Sequence, residues 1–182
     1  MRFGPIYKQA KNGQTVELRN AELTDAAALI DYLRITSGET PYLIREPEEV
    51  TVTPEQEQHF LQSRIESERE LLLIALIDGK HIGNCALMQL APYRRYAHRC
   101  AVAIALYQAY CGLGIGRIML ETVLETAKKL GYEQAELEVM AENRNAIALY
   151  ESLGFQRYGI FPHSMKYPDG HYDDAFWMMK RL

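Results

Sequence analysis

Three glycines, Gly112, Gly114 and Gly116, stand where an apolar run ends and a helical pattern begins, within residues 106–117. With no side chains to hold the backbone away from a ligand, and with freedom at positive φ, they let successive N–H groups converge at a helix start. Such a turn holds a phosphate or diphosphate through backbone hydrogen bonds and the positive end of the helix dipole. A bare strand-to-helix turn is the plainer alternative, and the entropy that three glycines cost the folded state weighs against it. A P-loop requires Lys and then Ser/Thr after its last glycine, whereas Arg117 and Ile118 follow Gly116. A Rossmann fingerprint requires its third glycine where Arg117 stands, in a turn that follows the first strand of the fold; here more than half of the chain precedes the turn.

A second group lies downstream. Asn143 and Tyr150 are two helical turns apart, so both project from one face with Ala146 between them. Taken alone, that helix reads Tyr150 as a packed aromatic and Asn143 as an N-cap. The five histidines lack metal-ligand spacing, and no metal is expected. Cys85 and Cys100 read as small core residues of strands, and the odd count of three cysteines with Cys111 fits a reducing cytoplasm.

These residues must be placed by a core. A chain of 182 residues, 48% hydrophobic, implies one globular domain over residues 1–182. The net charge of −4 argues against a nucleic-acid footprint and tolerates a cationic acceptor. No run is long enough to span a bilayer and the first residues lack a leader's apolar region, so a cytoplasmic protein with no membrane partner is expected.

Residues 15–19 alternate as a strand. Thr24 caps a helix to about Ile35, with Ala28, Leu29, Tyr32 and Leu33 on its apolar face. Residues 37–52 read as an irregular loop, and a helix starts at Pro54 with Phe60, Leu61 and Ile65 inward. Strands at 71–77 and 80–90 flank the hairpin signal Asp78-Gly79, and a buried strand at 100–106 feeds the glycine turn. A helix at 115–130, a strand at 135–139, a helix at 143–153 and a final strand pair at 155–161 and 172–179 complete an α/β mixed sheet. The order is βααβββαβαββ, with helices on both faces and the glycine turn after the central strand.

In that order, two segments resemble the GNAT superfamily of N-acetyltransferases. Residues 106–116, Leu-Tyr-Gln-Ala-Tyr-Cys-Gly-Leu-Gly-Ile-Gly, are similar to its pyrophosphate loop. Residues 137–155, where Asn143, Ala146, Leu149-Tyr150 and Gly154-Phe155 recur at the family's spacing, are similar to its second CoA motif. The resemblance implies an acyl-CoA N-acyltransferase fold, acetyl-CoA as co-substrate and direct attack by a primary amine. It implies that Leu106, Tyr107, Gln108, Cys111, Gly112, Leu113, Gly114, Ile115, Gly116, Asn143 and Tyr150 lie beside CoA. Tyr150 is implied as the general acid for the leaving thiolate, suited by an ordinary phenol pKa of about 10. Cys111 departs from the family's Gln or Arg, and Arg117 is the candidate replacement for the lost charge.

The expected acceptor is a small-molecule amine, such as an amino-acid analogue or a polyamine, because the long loop at 37–52 suits an enclosed site. A protein N-terminus and a CoA-binding sensor without catalysis are the alternatives, and a homodimer is an assembly common among similar proteins. The base stays unassigned: residues 98–107 hold no Asp or Glu, leaving His98, the loop carboxylates Glu39, Glu46, Glu48 and Glu49, or an ordered water chain. Tyr167, Tyr172 and Asp173 resemble the tail of relatives and either shape the acceptor pocket or stabilise the last hairpin.

Overall fold

The computed structural model describes residues 1–182. Eight strands form one mixed sheet: β1 (Ile6–Gln9), β2 (Thr15–Asn20), β3 (Leu71–Ile77), β4 (Lys80–Gln89), β5 (Arg99–Leu106), β6 (Gln134–Met140), β7 (Gln156–Lys166) and β8 (Tyr172–Arg181). Four helices cover it: α1 (Ala26–Glu39), α2 (Pro54–Glu66), α3 (Ile115–Lys129) and α4 (Arg144–Ser152). The spatial order is β1-β2-β3-β4-β5-β6-β8-β7, and only the β5–β6 pair is parallel.

The strand read as a continuous apolar run, β3, is buried on both faces. One face packs on α3 and α4 through a large core that includes Leu73, Leu87, Val102, Met119, Val123 and Leu137. The other face carries a smaller cluster under α1 and α2, with Leu29, Leu61, Leu72 and Ile74. This is the alternation of a pleated strand serving two layers.

Some expectations shift. β1 is an additional strand that no pattern announced: it pairs only with β2, and three of its four residues are exposed. Thr24 does not cap α1; the Asp25 carboxylate accepts the Glu22 N–H at 2.8 Å and pairs with Arg19. α1 runs on to Glu39, so the irregular loop is shorter than its polar composition suggested, and Ala28 is exposed. Phe60 also lies outward, under the Arg64 guanidinium. The helix expected to start at Pro54 does so, capped by a reciprocal pair between Thr53 and Gln56.

The parallel ladder is short. β5 and β6 are in register only at Arg99↔Gln134, Cys100↔Ala135 and Ala101↔Glu136, and then separate. At the closed end Arg99 grips the buried Glu136, one of its bonds being Nη2–H to Oε2 at 2.6 Å. The hydrogen bond from Arg99, foremost, holds the Glu136 carboxyl below its ordinary range. A carboxylate whose folded pKa is depressed stabilises the protein above its unfolded pKa and loses that contribution as pH falls through the folded value. We therefore expect Arg99→Met to lower stability by about 2 kcal/mol at pH 7. Urea denaturation should show the gap between variant and parent closing as the pH is taken below about 4.

Candidate functional site

The separation of β5 from β6 opens a notch in the sheet. β5 keeps its other side paired with β4 over seven residues, and β6 keeps its other side paired with β8 over seven. Leu106 ends β5 and the chain enters the glycine turn. Gly112 and Gly114 both have positive φ, 79° and 81°, so there the freedom of glycine is used. Gly116 differs: its φ is not positive, and it sits in the first turn of α3 against Leu149, Leu106 and Ile104. Its role is close packing of helix on strand.

The amides of residues 112–117 have no acceptor within the protein. A helix start leaves such groups unsatisfied, and here the turn adds two more before α3 begins. Four amides just before it, those of Tyr107, Gln108, Tyr110 and Cys111, are already used. Cys111 N–H donates to the Gln108 carbonyl at 3.1 Å, and Gln108 N–H donates to the Glu39 carboxylate at 2.8 Å. The run of consecutive open donors therefore starts at Gly112, and the amides of Gln108 and Cys111 are committed internally.

Arg117 does not stand over this turn. Its guanidinium is taken by Ser152 Oγ at 2.5 Å and Glu121 at 3.4 Å, on the α4 side. The nearby cation is Lys11, from the β1–β2 connection, whose N–H donates to Leu113 O at 2.9 Å. Its stem lies so close that a Cβ at Gly114 would meet Lys11 Cγ at 3.2 Å. Sequence reasoning missed Lys11 because it lies about a hundred residues away, in a turn whose partner strand was not foreseen.

Across the notch α4 supplies the second motif. Asn143 caps the helix, its Oδ1 accepting Ala146 N–H at 3.2 Å. Tyr150, 6% exposed, packs edge-on against Phe155 with ring centroids 5.9 Å apart. Burial pushes its phenol well above the ordinary tyrosine range. Its hydroxyl bonds to no protein group and is not among the sealed, unpartnered side-chain atoms, which are His81 Nδ1 and Asp173 Oδ2. The thiol of Cys111 is pushed up by burial and then by Glu39, which disfavours the thiolate that nucleophilic catalysis needs.

On the opposite, α1–α2 side of the sheet, β5 presents Ala101 and Ala103 while β6 presents Glu136 and Glu138. Glu138 is two residues beyond the last paired row, so it faces Ala103 across the notch. Its carboxylate accepts from Ser164 Oγ at 2.8 Å and Trp177 Nε1 at 3.2 Å. The only sequence signal for it is the Glu136–Glu138 alternation on a strand whose other face is apolar. His98 is exposed at the far end of β5. Of the carboxylates in the long loop, Glu39 ties α1 to Gln108 and Glu49 accepts the Glu46 N–H. Of the tail residues, Tyr167 stacks on His171 and Tyr172 on His163, both within the last hairpin, while Asp173 keeps one sealed oxygen without a partner.

A model of the acetyltransferase (GNAT) family matches residues 35–155. Among characterised proteins, an N-alpha-acetyltransferase of Sulfurisphaera tokodaii is 28% identical over 187 residues, covering 97% of this chain and 99% of that one. The structure of an acetyltransferase of the GNAT family from Streptococcus pneumoniae superposes with a TM-score of 0.87 at 27% identity, over 92% of this chain and 99% of that one. The fold of yncA from Salmonella typhimurium, solved with its cofactor acetyl-CoA, gives a TM-score of 0.81 at 19% identity, over 92% and 94% of the two chains.

The turn's conformation can be tested apart from any ligand. A Cβ at Gly112 meets open space, so Gly112→Ala should cost only the left-handed backbone, about 1 kcal/mol. At Gly83, opposite Leu106, a Cβ would strike the Leu106 side chain and lie 2.8 Å from Ala105 O. Gly83→Ala should cost about 2–3 kcal/mol in the same chemical denaturation experiment, because the end of β5 must move.

Proposed function

The chain belongs to the GNAT acetyltransferase family, and from that premise we propose that residues 1–182 act as one cytoplasmic domain that acetylates the primary amine of a small molecule. The co-substrate is acetyl-CoA. The observation that carries its placement is the fan of unpaired amides at residues 112–117 beside the notch. Those amides, the α3 dipole and Lys11 together suit a diphosphate. The unpaired edges of β5 and β6 suit a ligand arm that pairs with strand backbone. Three free cysteines, two of them buried, accord with a reducing compartment.

Bound acetyl-CoA supplies an acetyl thioester. Glu138 takes the proton of the attacking amine, directly or through water, from the face on which the acceptor approaches. Tyr150 donates to the leaving sulfur from the opposite side of the notch. Desolvation keeps its phenol protonated even in alkaline solution. The same desolvation disfavours a thiolate, as the raised thiol of neighbouring Cys85 illustrates, so the sulfur competes for that proton. Asn143 holds α4 in the register that places Tyr150 there.

The small acceptor is supported by a cavity of about 510 Å³ between α1, α2 and the loop joining them, a size that suits a small molecule. A protein N-terminus is the second reading. It is favoured by the likeness to the Sulfurisphaera enzyme and by the exposed aromatic surface of Tyr158, Phe161 and Trp177 beside Glu138.

Titration calorimetry with acetyl-CoA, followed by thiol release over a panel of free amines and N-terminal peptides, separates the two. Tyr150→Phe should bind acetyl-CoA as the parent does while kcat falls about 10²-fold. An unchanged rate removes the acid role. Lys11→Gln should weaken acetyl-CoA binding and flatten its salt dependence with kcat retained at saturation.

A further inference from the structure

The α1–α2 cavity contains charge that the chemistry at the notch does not use. Glu57 on α2 is 6% exposed, and burial raises its carboxyl, with Arg45 acting in the other direction. No ion pair or hydrogen bond from the protein satisfies it. Its oxygens are not sealed in the core; they open on the cavity. A buried, unpartnered carboxylate is costly unless something compensates it, and one that opens on a pocket of mixed polar and apolar lining points to a ligand cation.

Arg45 lines the same cavity from the loop and is likewise free of any ion pair. The third charged wall, Glu49, is engaged by the Glu46 N–H. One cation and two carboxylates leave the cavity with a formal charge of −1, before any ligand enters. Leu29, Leu33 and Phe60 make up its apolar walls, and Leu72 is part of the floor.

Leu72 lies in one cross-strand row with Ala86 and Ala103. At about 4.8 Å per strand, the floor is roughly 10 Å from Ala103, and the notch that Glu138 faces lies beyond it. The group held in the cavity is therefore not the amine that reacts. It is the far end of a linear acceptor.

We propose that this cavity holds the ammonium and carboxylate of a basic amino acid, on Glu57 and Arg45 respectively, while its side-chain amine reaches the notch. The inference rests on the small-molecule reading above and names its substrate class. A free lysine-type acceptor also matches the charge: its net +1 complements the −1 of the cavity walls.

Three probes of matched length decide it: lysine, cadaverine, which lacks the carboxylate, and ε-aminocaproate, which lacks the α-ammonium. Lysine should exceed each of the others in kcat/KM by about tenfold or more, with the acetyl group on its side-chain nitrogen. Arg45→Gln should raise KM for lysine about tenfold and leave cadaverine unchanged. Glu57→Gln should do the same and leave ε-aminocaproate unchanged. Neither variant should alter KM for acetyl-CoA, and a thermal melt confirms that both fold. Equal kcat/KM for the three probes, or variants that affect all three alike, overturns the proposal while the acetyltransferase reading stands. If no amine is acetylated, that reading fails instead. Calorimetry of lysine against the CoA-loaded protein then still decides the cavity: heat that disappears in Glu57→Gln supports it, and no heat overturns it.

Discussion

The molecule is organised around an interruption in its own hydrogen bonding. β5 and β6 share three rows and then part, although each is fully paired on its outer side. Continuing the ladder would satisfy more backbone groups, so the parting requires compensation. It comes from packing: Ile104 and Leu106 turn onto Gly116, and α4 brings Tyr150 and Ile147 into the core shared with α3. Arg99 and Glu136 pin the closed end. The result is unpaired strand backbone and a helix start at one notch, and under the proposed function a ligand's polar groups replace the missing ladder there.

The two sides of the notch are electrically unlike. On the α3–α4 side the phenol of Tyr150 and the thiol of Cys85 are both driven toward their neutral forms by burial. On the α1–α2 side Glu138 is exposed and held by two neutral donors, while Glu136 is neutralised by Arg99. In the proposed mechanism the amine's proton leaves on the wet side, to Glu138, and the sulfur's proton comes from the dry side, from Tyr150. Two mutually unlike environments, not unusual residues, provide the asymmetry that acid and base roles need.

Local patterns were readable from the residues: the apolar run of β3, the Asp78-Gly79 hairpin, the glycine turn, the α4 motif and the overall order of elements. What stayed hidden required the third dimension. β1 has no buried face of its own and exists because β2 offers an edge. Arg117 looked free in sequence and is occupied by Ser152, a residue of another helix. Lys11 and Glu138 each carry a single ordinary charge with no motif around it; only the sheet register brings the first to the turn and the second to the notch. Glu57 reads as one more carboxylate in a polar helix, and its significance comes from where α2 is laid over β3.

The tie between Lys11 and Leu113 has an evolutionary reading. It hands one wall of the glycine turn to the connection of a hairpin whose strands are anchored in the core under α3 by Ile6, Val16 and Leu18, with Ala10 beside the turn. Under the proposed function, grip on the nucleotide can then drift by exchange of residues in an exposed connection. The strand and helices to which the proposed function assigns the chemistry need not change, so descendants of this scaffold could retune cofactor retention and acceptor choice as separate traits.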